Sequence, residues 1–120
     1  MPGRRPQRVA EQIREEVSLI VSGELGDPRI GFVTITEVKL SPDLKHARIY
    51  ASVLGTDEEV VKSFAALESA KGYIRHQLGI ALRLRRIPEL HFVHDESVRT
   101  AARIEELLKE ASEQDKQDTE

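Results

Sequence analysis

The chain has 120 residues, 39% hydrophobic and 32% charged, enough for one domain with an aliphatic core. It contains no cysteine, which excludes disulfides, thiolate metal sites and cysteine nucleophiles. The net charge of −3 hides an asymmetry that does not exclude a polyanionic partner, since phosphate binding depends on local fields.

That asymmetry is plain in the sequence. Residues 105–120 carry seven acids against Lys109 and Lys116. Ser69 to Pro88 carries Lys71, Arg75, Arg83, Arg85 and Arg86 with no acid, and Arg4, Arg5 and Arg8 open the chain. No apolar run approaches the roughly 18 residues of a membrane span. The basic start is followed by no apolar stretch of the kind a signal peptide has, so a cytoplasmic protein is expected.

In chain order, Val9, Ile13, Val17 and Ile20 form one stripe of an amphipathic helix over about Gln7 to Val21, with Gly23 as its stop. Gly26 to Gly31 reads as a loop. Phe32 to Leu40 is rich in β-branched residues and predicts a strand. Ser41-Pro42-Asp43-Leu44 predicts a turn, and Lys45 to Leu54 a second, antiparallel strand with Ala47, Ile49, Ala51 and Val53 on one face. Thr56 or Asp57 caps a second helix. Its pattern is interrupted at Ser69-Ala70-Lys71-Gly72, because a mid-helix glycine costs about 1 kcal/mol against alanine. If the break is needed, Gly72→Ala should destabilise the fold or misdirect Lys71 and Arg75.

Beyond the break, Ala70, Ile74, Leu78 and Ala81 continue a buried stripe, and Arg75, His76 and Arg83 share the face beside it. Ile87 to His94 predicts a third strand. Asp95 caps a last helix through about Ala111, with Leu107 and Leu108 available for burial. The five aromatics, Phe32, Tyr50, Phe64, Tyr73 and Phe92, are expected to lie mostly inside. The chain divides into a flexible basic arm (1–6), one domain (7–111) and a disordered acidic tail (112–120). The domain is an α+β fold of order α-β-β-α-(kink)-α-β-α, a three-stranded sheet covered by helices on one face.

Catalytic chemistry has no obvious seat. No Walker, dinucleotide or His-Glu-x-x-His motif is present. His91 and His94, three apart on a strand, point to opposite faces and cannot share an ion. Neither a metal nor a cofactor is expected. Gly23-Glu24-Leu25-Gly26 matches the Gly-x-x-Gly clamp of KH domains, but its interior is acidic and apolar and it precedes the first strand.

The order of elements, the Ala70-Lys71-Gly72 break and the run Leu82-Arg83-Leu84-Arg85-Arg86-Ile87-Pro88-Glu89-Leu90-His91-Phe92 together resemble the bacterial ribosome-binding factor A family. Asp27-Pro28-Arg29, Ser41-Pro42-Asp43-Leu44 and Val53-Leu54-Gly55 add to the likeness, which spans about residues 5 to 110. The resemblance implies a type-II KH-like fold in which a helix kink at Ala70, Lys71 and Gly72 replaces the clamp. It implies a non-enzymatic small-subunit assembly factor that binds free small ribosomal subunits and assists late maturation and 5′-end processing of their rRNA. A GTPase acting on the same particle, a greater need in the cold and a monomeric state belong to the same expectation. The residues expected to meet RNA are Arg4, Arg5, Arg8, Lys71, Arg75, His76, Arg83, Arg85 and Arg86. Two other readings stay open: a generic single-stranded nucleic-acid binder, which would want exposed aromatics, and a protein–protein adaptor.

Overall fold

A computed structural model of the protein describes residues 4–96, 105 and 107–111. Its elements are α1 (Arg4–Gly23), β1 (Phe32–Leu40), β2 (His46–Leu54), α2 (Asp57–Ser69), α3 (Lys71–Leu82) and β3 (Glu89–His94). This is the α+β, KH-like order expected from the sequence. The last predicted helix falls largely outside the described residues. Residues 105 and 107–111 are helical, and Leu107 and Leu108 are exposed rather than buried. The predicted tail, 112–120, also lies outside the described residues.

The sheet order is β1-β2-β3. β1 and β2 pair antiparallel, with a bulge that inserts Thr36 between Ile35 and Glu37. The Thr36 hydroxyl donates to Asp95 Oδ2 at 2.6 Å, tying the bulge to the end of β3. β2 and β3 pair parallel, which is possible because α2 and α3 carry the chain across. β2 buries Ala47, Ile49, Ala51 and Val53 on one side and exposes His46 and Arg48 on the other. α1 seals the buried side with Ile13, Val17 and Ile20, as its stripe predicts, and α3 adds Ile74 and Leu78.

Four expectations need correction. First, α1 begins at Arg4 instead of Gln7, so Arg4 and Arg5 belong to a helical first turn and not to a separate arm. Pro6 is tolerated there because the first-turn N–H groups have no intrahelical partner. Second, the stripe of α3 ends differently: Ala81 is exposed, and Leu82, one step further round, packs on the core. Third, the aromatics are not an interior set. Phe32 is 81% and Tyr73 44% exposed, and the Tyr73 hydroxyl donates to Glu24 Oε2 at 2.9 Å. Phe64 and Phe92 only border the core.

The fourth correction concerns the break. A single residue, Ala70 (φ −89°, ψ −2°), ends α2 and starts α3. Gly72 sits inside the first turn of α3, and a Cβ there would meet nothing within 4 Å. The geometry therefore reverses the sign expected for Gly72→Ala. The substitution should be neutral to stabilising, by up to about 1 kcal/mol, which a thermal melt will read. On the same helix Gly79 does face a neighbour: its Cβ would lie 2.6 Å from the Ile87 methyl.

Candidate nucleic-acid interface

α3 ends where the basic residues gather. Arg83 closes the helix in the left-handed region (φ 52°, ψ 40°), a conformation that favours glycine and is strained for a long side chain. The turn throws the chain away from the helix axis, and Leu84 to Pro88 then run beside the β1–β2 turn. Between these two segments and α1 lies a groove of about 660 Å³. Its apolar wall includes Val9, Leu40, Leu44, Leu84 and Ile87, and its polar rim Asp43, Lys45, Arg75, Arg85 and Arg86. Arg85 and Arg86 are exposed.

Arg75 plays a different part from the one expected. Its guanidinium donates to Ile87 O at 3.1 Å and to Pro88 O at 3.3 Å, so it fastens the loop that carries the other arginines. It lies off the apolar stripe, yet charge reversal there would break the loop's anchor as well as any phosphate contact. Arg75 is therefore unsuitable as a stability-neutral probe.

On the opposite wall, Asp43 Oδ1 accepts from the Ser41 hydroxyl at 2.6 Å and the Lys45 amide at 3.0 Å, while Leu44 takes φ 62°. The Ser41 hydroxyl, and next the Lys45 amide, hold the Asp43 carboxyl below its usual range. A lowered carboxylate supports the fold fully above its unfolded pKa and loses that support as pH falls through the lowered value. Asp43→Asn should thus melt earlier than the parent at pH 7. The gap should close as the pH drops well below the ordinary aspartate value of about 3.9.

The remaining expected residues are dispersed. Lys71 pairs with Glu68 at 2.8 Å, at the opposite end of α3 from Arg83, roughly 18 Å along the axis at 1.5 Å per residue. The N-terminus of α3 is a weak anion site. It abuts the C-terminus of α2, where the Ala70 amide is spent on Ala66 O, so opposed helix-end charges lie side by side. His76 and Arg8 are exposed, on α3 and α1. Arg4 and Arg5 lie in the first turn of α1. The Gly23-Glu24-Leu25-Gly26 match runs from the last residue of α1 into the loop before β1, with the Glu24 amide bonded to Ile20 O, and joins no two helices. Sequence reasoning missed Lys45. It flanks the Ser-Pro-Asp-Leu turn, and only its place on the groove it shares with Arg85 and Arg86 gives it a role.

The strain at Arg83 permits a sharp test. Arg83→Gly should stabilise the fold by about 1 kcal/mol of relieved left-handed strain, read as a higher melting temperature. A drop would mean that the Arg83 side chain contributes more to the fold than its backbone costs.

Known proteins are similar to this chain over most of its length. A family model described as ribosome-binding factor A matches residues 5–108. A ribosome-binding factor A from Staphylococcus epidermidis is 46% identical over 112 residues, covering 93% of this chain and 97% of that one. The crystal structure of ribosome-binding factor A from Thermus thermophilus superposes with a TM-score of 0.66 at 25% identity, over 74% of this chain and 94% of that one. A homology model of the Thermus thermophilus factor, fitted into a cryo-EM map of its complex with the 30S subunit, gives 0.61 at 25% identity, over 72% and 91%. Sequence and fold agree, and the chain belongs to the ribosome-binding factor A family.

Proposed function

We propose that this chain is a non-enzymatic assembly factor that binds the free small ribosomal subunit and assists late maturation of its rRNA, including 5′-end processing. Its relative from Thermus thermophilus has been placed on the 30S subunit, and family membership supports the same target here. The observation that carries the reading is the groove rim. Arg85, Arg86 and Lys45 surround an apolar cleft whose loop is fastened by Arg75. A large structured RNA is recognised mainly by shape and phosphates, which calls for a fixed basic surface more than for base-reading side chains. Arg83 extends that surface, and Arg4, Arg5, Arg8, Lys71 and His76 contribute longer-range attraction.

On this reading the protein acts in the cytoplasm as a monomer, alongside an assembly GTPase on the same particle, and is needed most in the cold. No helix among the described residues is long and apolar enough to cross a membrane.

Chemical footprinting on purified small subunits tests the proposal. Protection of a discrete rRNA element, with an affinity that falls steeply with salt and resists competition by an unstructured oligonucleotide, is the expected result. Equal affinity for the oligonucleotide would instead indicate a generic single-strand binder. Retention on the particle without rRNA protection would indicate a protein–protein adaptor.

A further inference from the structure

The face of the sheet turned away from the helices carries a cluster that the RNA reading does not use. Parallel pairing sets His46 of β2 opposite Glu89 of β3, and Glu89 and His91, two apart on one strand, project from the same face. The sequence excludes an ion shared by His91 and His94, which point to opposite faces. That orientation holds, as His94 packs edge-on to Phe64. The partner of His91 is across the ladder: His46 Nδ1 lies 3.0 Å from His91 Nε2 and 3.7 Å from Glu89 Oε2. One ligating atom from each of the three falls within 4.8 Å of the others.

We propose that His46, Glu89 and His91 form a binding site for a borderline divalent cation, with Zn²⁺ the best match. Tetrahedral zinc bound at about 2.0 to 2.1 Å holds its ligand atoms roughly 3.3 Å apart, and the two separations bracket that value. Two imidazoles and one carboxylate are the donor set of zinc sites that keep one position open. They suit Zn²⁺, Cu²⁺ and Ni²⁺ better than Mg²⁺ or Ca²⁺, which prefer oxygen. His46 and Glu89 are exposed, with side chains 52% and 65% accessible, so an ion can enter from solvent without rearrangement of the core. Without metal, the two rings can share one N–H···N hydrogen bond, which needs one donor and one acceptor nitrogen. The ion takes the place of that hydrogen bond, the donor ring carrying its proton on the other nitrogen, and ties β2 to β3. Arg48, the register partner of His91, and Lys45, next to His46, oppose the ion's charge and lower the affinity without removing a ligand.

The test uses the full chain, stripped with EDTA and titrated with ZnCl₂ by calorimetry and thermal melting, with MgCl₂ in parallel. The expected result is saturable one-to-one zinc binding and a rise in Tm of roughly 4–8 °C at saturating metal, with no response to magnesium. His46→Gln and His91→Gln should each weaken zinc binding by about tenfold or more while leaving the far-UV spectrum unchanged, and the double variant should abolish it. No saturation below about 1 mM ZnCl₂, or equal affinity in the double variant, would overturn the proposal. Neither readout involves RNA, so the result is independent of ribosome binding.

Discussion

Leu78→Ala should lower stability by about 2–5 kcal/mol and the melting temperature by roughly 10 °C or more. Leu78 has no exposed surface and packs in the cluster that joins α1, α3 and the sheet. Removing its isobutyl group forfeits both the transfer energy and the contacts around the cavity left behind. Ile80 on the same helix is 62% exposed, so Ile80→Ala should change stability by no more than about 0.5 kcal/mol. Equal losses from the two variants would mean that α3 is rotated from the orientation described.

Arg85→Glu combined with Arg86→Glu should cut affinity for the small subunit by roughly 10²-fold or more. Each arginine removed from a phosphate forfeits a charge-assisted bond of about 1.5–3 kcal/mol, and the acid that replaces it repels. The slope of log affinity against log salt should flatten by about one to two units, since two fewer phosphates release counterions. The fold should be untouched, because both side chains are exposed and neither backbone is strained as Arg83 is. Undiminished binding with an unchanged slope would remove the groove rim from the interface.

Much of the architecture could be read from periodicity because the buried residues obey it. Ile13 and Val17 on α1, and Ala47, Ile49, Ala51 and Val53 on β2, keep strict spacing since one face of each element is covered. The boundaries were less legible. Nothing in the pattern forced α1 to start at Gln7, because a first helical turn admits Pro6 and needs no apolar residue to mark it.

The site was legible as composition but not as geometry. Arg83, Arg85 and Arg86 stand out in sequence, whereas the anchoring role of Arg75 depends on where Ile87 and Pro88 return. The pairing of His46 with His91 depends on a parallel register that no local pattern encodes. Gly72 misled for a related reason. Its rarity in a helix drew attention to the junction, but the chain changes direction at Ala70, before the glycine's own freedom comes into play.

The mixed pairing of the sheet also bears on how the molecule assembles. β1 and β2 are joined by a turn of five residues, 41–45, so their ladder closes at little entropic cost. β3 must find β2 across the whole of α2 and α3, a closure that costs more and slows folding. The loop bearing Arg85 and Arg86 is the last stretch before β3, and the carbonyls that Arg75 grips lie directly ahead of that strand. The two bonds that hold the loop can form only once Ile87 and Pro88 lie beside α3. In stopped-flow refolding, the capacity to hold RNA should therefore return with the final phase, after the hairpin's own signal. A half-made chain would carry the charge of the finished protein without its grip.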